Sequence, residues 1–166
     1  MNADQHEFPN RLLELHQDVV HSEWIDYNGH MNDGYYAVAF GFATDAFMDQ
    51  IGLDAAYRTR TRHTIYTAEM HLTYLREVKA ADRIRFTTQL LAFDTKRCHI
   101  FHRMLAGPEN YLAATCELML LHVDQAIGKV VPFAPAISQQ LAQVYTTHQT
   151  LPMPVEAGHV ISMRRS

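Results

Sequence analysis

A strand, then a long apolar helix, then a run of strands predicts an α+β fold in which an antiparallel sheet wraps around one long central helix. Three observations carry this expectation. Residues 35–51 repeat apolar side chains at helical spacing over most of the helix circumference, so the helix needs cover. Residues 64–123 alternate with a period of two between short turn-forming links, as antiparallel strands do. No internal repeat and no Gly-, Ser- or Pro-rich linker divides the 166 residues. One domain is therefore expected over 1–166, with its core over 12–133 and a helix and tail over 134–166.

The elements follow in order. Residues 12–23 are rich in Leu and Val with partial alternation, which predicts a strand running into a turn over 26–34. In the helix, Tyr36, Phe40, Ala43 and Phe47 form a stripe that Ala39, Phe42 and Ala46 broaden, and Gly52 is placed to stop it. A polar connection comes next. The strand over 64–78 puts Tyr66, Ala68, Met70, Leu72 and Tyr74 on a core face and Thr67, Glu69, His71 and Thr73 on a polar one. The strand over 83–93 groups Ile84, Phe86, Leu90 and Ala92, and turns at 94–97 and 107–110 separate two further strands at 98–106 and 111–123. Short links of this kind predict hairpins. Ile137, Leu141, Val144 and Tyr145 fit a helix after Pro135, while 151–166 has two prolines and no period, which predicts an extended or frayed extension.

Composition narrows the classes of function. With 48% apolar residues, a chain of this length buries roughly 70% of the surface it exposes when unfolded and folds without staples. A net charge of -4 gives no footprint for nucleic acid or anionic lipid. No apolar run approaches the roughly 20 residues that cross a bilayer, and residues 1–10 are polar, so a cytoplasmic protein with no membrane partner is expected. Cys98 and Cys116 each sit in an apolar stretch and read as buried, reduced thiols.

Chemistry concentrates in 23–36, EWIDYNGHMNDGYY, which packs carboxylates, two amides, an imidazole and two glycines into the entrance of the apolar helix. The unpaired amides of a helix N-terminus carry partial positive charge and can hold a developing oxyanion. Asp26 lies within reach of whatever they bind. Any turn contains Asp, Asn and Gly, and Asn32 or Asp33 equally serves as a helix cap. The density of polar groups at the mouth of so apolar a helix favours a binding site.

Asp26, Asn28, Gly29, His30, Met31 and Asn32, read as DYNGHMN ahead of an aromatic-rich helix, resemble the D-x-x-G-H-V/M-N signature of hotdog-fold acyl-CoA thioesterases of the 4-hydroxybenzoyl-CoA thioesterase type. The resemblance spans about 12–133. The motif is also similar to that of acyl carrier protein thioesterases. EWIDYNGHMNDGYYAVAF further resembles the thioesterases encoded with, or fused to, carnitine dehydrogenases, a group assigned to betainyl-CoA hydrolysis in carnitine metabolism. The resemblance implies the hotdog fold and acyl-CoA hydrolysis, with Asp26 as the carboxylate that attacks the thioester or activates water. It implies that Asn28 and His30 orient water and polarise the reacting groups, and that backbone amides of Asn32, Asp33 and Gly34 receive the carbonyl oxygen. Many relatives carry D-x-D-x-x-G-H, and Trp24 stands here at the first of those Asp positions. The resemblance also implies a site between protomers, hence a homodimer or a dimer of dimers (a tetramer). A hotdog domain that binds acyl-CoA without hydrolysis, or acts as a hydratase or dehydratase, is the alternative.

Coenzyme A enters as part of the substrate, with no separate cofactor. Its phosphates call for local positive charge, which Arg58, Arg60 and Arg62 or the turn residues Lys96 and Arg97 supply, unless these are ordinary solvated charges. Trp24, Tyr27 and Tyr36 are the candidates for the acyl group, with Tyr35 and Phe40 nearby, and rings of this kind hold a quaternary ammonium, although they equally suit a core. No metal is expected. His99 and His102, three apart in a strand, point to opposite faces. Glu69 and His71 share a polar strand face, either lining the site or forming an ion pair or dimer contact. No GxSxG elbow is present.

Overall fold

The computed structural model describes residues 12–163. Strand β1 (Leu13–Val19) leads through a 3-10 turn at Ser22–Trp24 into helix α1 (Asp33–Gln50) and then a short helix α2 (Ala55–Thr61). Strands β2 (His63–Tyr74), β3 (Arg83–Phe93), β4 (Arg97–Ala106) and β5 (Tyr111–Asp124) follow. A two-residue β6 (Lys129–Val130) and helix α3 (Pro135–His148) complete the regular structure. All pairings are antiparallel, in the order β1-β3-β4-β5-β2, with β6 beside β5. The expected sheet around a long helix is thus present. Among the described residues, no helix is long and apolar enough to cross a membrane.

The ends of α1 follow from the sequence. Asn32 caps the start by accepting the Gly34 N–H at 3.0 Å. At the other end Gly52 takes φ +89°, and the Leu53 N–H reaches back to the Met48 carbonyl, closing the helix. Its inner face buries Tyr36, Ala39, Phe40, Ala43, Phe47 and Met48. The expectation that a helix apolar over most of its circumference is buried holds for this face but is corrected at Val38 and Phe42, which are 44% and 43% exposed on the side the sheet does not cover.

Inside, His102 is fully buried between Thr44 Oγ1 at 3.1 Å and Thr88 Oγ1 at 2.9 Å, stacked near Phe40. Thr44 spends its hydroxyl proton on the Phe40 carbonyl. The His102 Nε2–H must then donate to Thr44, leaving Nδ1 to accept from Thr88. One neutral imidazole thereby ties α1 to β3 and β4, and burial pushes its pKa down to about 3. His99 points to the other face, as its spacing requires, and pairs with Glu117 at 2.7 Å. Cys98 and Cys116 are buried, free thiols, both pushed up to about 12 by burial. Cys98 lies opposite Leu120 and Cys116 opposite His102, so the two are four residues out of register.

Four expectations are corrected. The links at 94–97 and 107–110 form the expected hairpins, but β2 does not continue into β3, because β2 pairs with β5 at the far edge while β3 pairs with β1. The 75–82 link is held instead by Val20 and Met31, whose backbones bond to Asp82, Ala81 and Val78. Tyr66, Met70 and Tyr74 are exposed rather than core, because β2 is an edge strand whose pairing slips between Thr67 and Glu69. Ala92 is exposed because a slip between Leu90 and Ala92 shifts the alternation, so that Phe93 packs on the core instead. The polar connection after Gly52 contains α2, which Asp54 caps by accepting the Tyr57 N–H at 2.7 Å.

Helix α3 joins the same core through Ile137, Leu141 and Val144. Beyond it the tail has no helix or strand up to 163 and runs back over the sheet. The Gln89 side chain donates to the Pro152 carbonyl, and the Gly158 N–H donates to Glu117 Oε2 at 2.7 Å. The ends of the expected domain, 1–11 and 164–166, lie outside the described residues.

Candidate active site

The motif folds back on itself before the helix begins. Ile25 and Met31 form an isolated antiparallel bridge, the Asp26 N–H donates to the His30 carbonyl, and the Gly29 N–H donates to the Asp26 carbonyl. Gly29 adopts φ +78° at the tip, a conformation that favours glycine. The Met31 N–H donates to the Val78 carbonyl at 2.8 Å, which locks this loop to the link after β2. Two segments far apart in the chain therefore enclose one hollow of about 510 Å³, and its lining includes Asp26, Asn32, Asp33 and Tyr36 from the motif, Tyr74 from the end of β2 and Arg76 and Glu77 from the link.

Asp26 is half-buried at this hollow, and its Oδ1 accepts the Asn28 N–H at 2.8 Å. A carboxylate fixed beside the N-terminus of an 18-residue helix is an arrangement that suits attack on a carbonyl carbon. The Asn28 side chain is exposed and does not line the hollow, so its contact with Asp26 runs through the backbone amide. His30 does not line it either, but its Nε2 lies 3.3 Å from Glu77 Oε1, which does.

The three amides expected to receive the carbonyl oxygen differ in availability. The Asn32 N–H donates to the Trp24 carbonyl at 2.8 Å, and the Gly34 N–H donates to the side chains of Asn32 and Asp33. Asp33 is the member of the set whose N–H is not engaged among the described residues. Of the expected set, that amide is the one left open to a ligand among the described residues, at the positive end of α1.

Of the aromatic candidates, Tyr27 and Tyr36 line the hollow, Tyr27 almost fully exposed and Tyr36 buried. Trp24 does not: it is buried, stacked on Tyr35 at 5.7 Å and against His21, because a flat apolar ring at the base of the loop packs into the core. Phe40 is deep in the core. Burial pushes the Tyr36 phenol up to about 12, with Tyr111 adding to the shift, and Tyr74 is raised by burial and by Asp33. Both stay protonated. Tyr74, Arg76 and Glu77 are absent from the sequence-derived set, since nothing in the order of residues says that the end of β2 meets the motif.

The arginines do not converge. On α2 the alternate spacing turns Arg60 away from Arg58, Arg62 caps the helix end in a left-handed conformation, and Arg58 and Arg62 line a separate depression without Arg60. Arg58 is engaged by the Leu53 carbonyl and Asp49, and Arg60 lies over the Tyr57 ring. Arg97 is bound by Asp94, which also fixes the turn through the Lys96 N–H. Glu69 and His71 face a different hollow of about 350 Å³ with His99, Glu117 and the tail residue His159. A larger hollow of about 690 Å³ beside β1 and β3 includes Arg83 and Arg85, but none of its lining residues belongs to a helix.

The chain is similar to known proteins over most of its length. The model of the thioesterase-like superfamily matches residues 20–141. The chain is 38% identical over 154 residues to the betainyl-CoA thioesterase of Pseudomonas aeruginosa, covering 93% of this chain and 97% of that protein. It is 41% identical over 154 residues to the L-carnitine dehydrogenase/betainyl-CoA thioesterase of Agrobacterium fabrum, covering 93% of this chain and 31% of that longer protein. Among solved structures, a Staphylococcus aureus protein in complex with CoA superposes with a TM-score of 0.85 at 30% identity, covering 92% of this chain and 97% of that one. A putative thioesterase from Pseudomonas putida superposes with a TM-score of 0.81 at 34% identity, covering 93% and 99%.

Proposed function

The chain belongs to the thioesterase-like superfamily and hydrolyses acyl-CoA thioesters, and from that premise we propose that its substrate is betainyl-CoA, split to betaine and coenzyme A. The observation that carries the proposal is the hollow in which Asp26 meets the N-terminus of α1 beside tyrosine rings. The Asp26 carboxylate supplies the attack on the thioester carbon, directly or through a water that it deprotonates. Carbonyl charge builds toward the Asp33 N–H and the helix end, the carbon–sulfur bond breaks, and the thiolate leaves. By the direct route a mixed anhydride is then hydrolysed, and by either route one water is consumed. Coenzyme A enters as part of the substrate, and the route calls on no other cofactor.

The assembly we propose is a homodimer or a dimer of dimers. Supporting it, β2 is an edge strand carrying exposed Tyr66, Met70 and Tyr74, and Val38 and Phe42 leave an apolar stripe on α1. The hollow includes Tyr74 from that edge, so a second protomer seated there adjoins the site.

Substrate choice is tested by following thiol release from betainyl-CoA and from 3,3-dimethylbutanoyl-CoA, in which carbon replaces the quaternary nitrogen. The expected result is a kcat/KM at least about tenfold higher for the cation, the scale of a desolvated cation–π contact. Equal values, or a preference for the neutral isostere, would overturn the betaine assignment.

A further inference from the structure

The hollow beside Asp26 carries an excess of negative charge. Asp26, Asp33 and Glu77 all line it, against one guanidinium, Arg76, which lies over the Tyr111 ring at 4.1 Å from the centroid. Coenzyme A brings phosphates and the attack creates an oxyanion, so a neutral acyl group would leave this charge uncompensated. Two of the carboxylates are already engaged by backbone amides. Asp26 accepts from Asn28, and Asp33 accepts from Gly34 at the positive end of α1. The Glu77 side chain is 57% exposed and meets the His30 imidazole at 3.3 Å, which leaves most of its acceptor capacity open.

Tyr36 and Tyr74 line the same hollow with their rings perpendicular, 5.2 Å between centroids at 90°. The Tyr74 hydroxyl donates to the Asp33 carbonyl and fixes that ring at the rim. Two rings at right angles beside a carboxylate suit a methylated ammonium. Such a group has no hydrogen to donate, so it gains from ring faces and from an unpaired negative charge instead. In a betainyl group the nitrogen is two bonds from the carbonyl carbon, so its seat must border the attacking carboxylate, as Tyr36 and Glu77 do by sharing the hollow with Asp26.

We propose that Tyr36, Tyr74 and Glu77 seat a quaternary ammonium on the acyl group, and that Glu77 sets the preference for a cationic acyl chain. The proposal rests on the betainyl-CoA reading for the identity of the substrate. Its test is the ratio of kcat/KM for betainyl-CoA to that for 3,3-dimethylbutanoyl-CoA, in the wild type, Glu77→Gln and Tyr74→Leu. The ratio is expected to fall at least about tenfold in Glu77→Gln and at least about threefold in Tyr74→Leu. Glu77 acting only by positioning His30 would lower both substrates alike and leave the ratio unchanged within twofold, which would overturn the proposal.

A second readout is independent of the acyl group hydrolysed. Tetramethylammonium should inhibit competitively, with an inhibition constant raised at least about tenfold by Glu77→Gln. A wild type indifferent to the substrate cation yet inhibited in this way would sink the betaine assignment and keep the seat. Absence of inhibition, or equal inhibition constants in wild type and variant, would sink the seat itself.

Discussion

Asp26 is held by the Asn28 N–H at 2.8 Å, a bond that an asparagine at the same position still accepts through its carbonyl oxygen. Asp26→Asn should therefore keep the loop and remove the charge. Its kcat for thiol release is expected to fall at least about a hundredfold, with an unchanged circular dichroism spectrum and melting curve. A folded variant with wild-type kcat would remove Asp26 from the reaction. The residue was legible because its motif is dense in polar groups and resembles a family signature. Glu77 and Tyr74 were not, since their spacing is that of an ordinary strand end and only tertiary contacts, among them the bonds from Met31 to Val78 and from Tyr74 to Asp33, bring them to the motif. Trp24 misled for the converse reason: a ring next to the motif in sequence packs inward against Tyr35.

At the level of elements, one neutral imidazole adds a polar tie between helix and sheet to the apolar packing of α1. His102 ordinarily titrates near 6.5, and burial lowers this to about 3 in the fold. Between those values the unfolded chain takes up a proton that the folded chain refuses. The stability from this group is therefore complete above about 6.5 and is lost as the pH falls, by at most about 1.4 kcal/mol per pH unit. Denaturant titrations from neutral pH into mild acid should show this decline, and His102→Gln, although less stable at neutral pH, should show a shallower one. Equal slopes would assign the acid sensitivity elsewhere. Periodicity located α1 and every strand longer than two residues, because burial on one face imposes a period. Slips at 67–69 and 90–92 reverse that alternation midway, and α2, with no buried residue, has no apolar stripe to announce it.

Across the whole molecule, the unpaired edge of β2 and its exposed apolar side chains call for a partner. Sedimentation at assay concentrations should give two or four times the chain mass, and a monomer would contradict the proposed assembly. By itself the sequence determined the fold class, the buried helix face and the polar motif that sets Asp26 at the helix start. Each follows from local pattern: apolar periodicity, alternation between turns, and a polar cluster at a helix start. Only the tertiary structure decided that β2 crosses to the far edge beside β5, which amides at the helix start are already engaged, and which rings and charges surround Asp26. Those depend on contacts between segments far apart in the chain, where backbone hydrogen bonds and packing, rather than the order of neighbouring residues, fix what meets what.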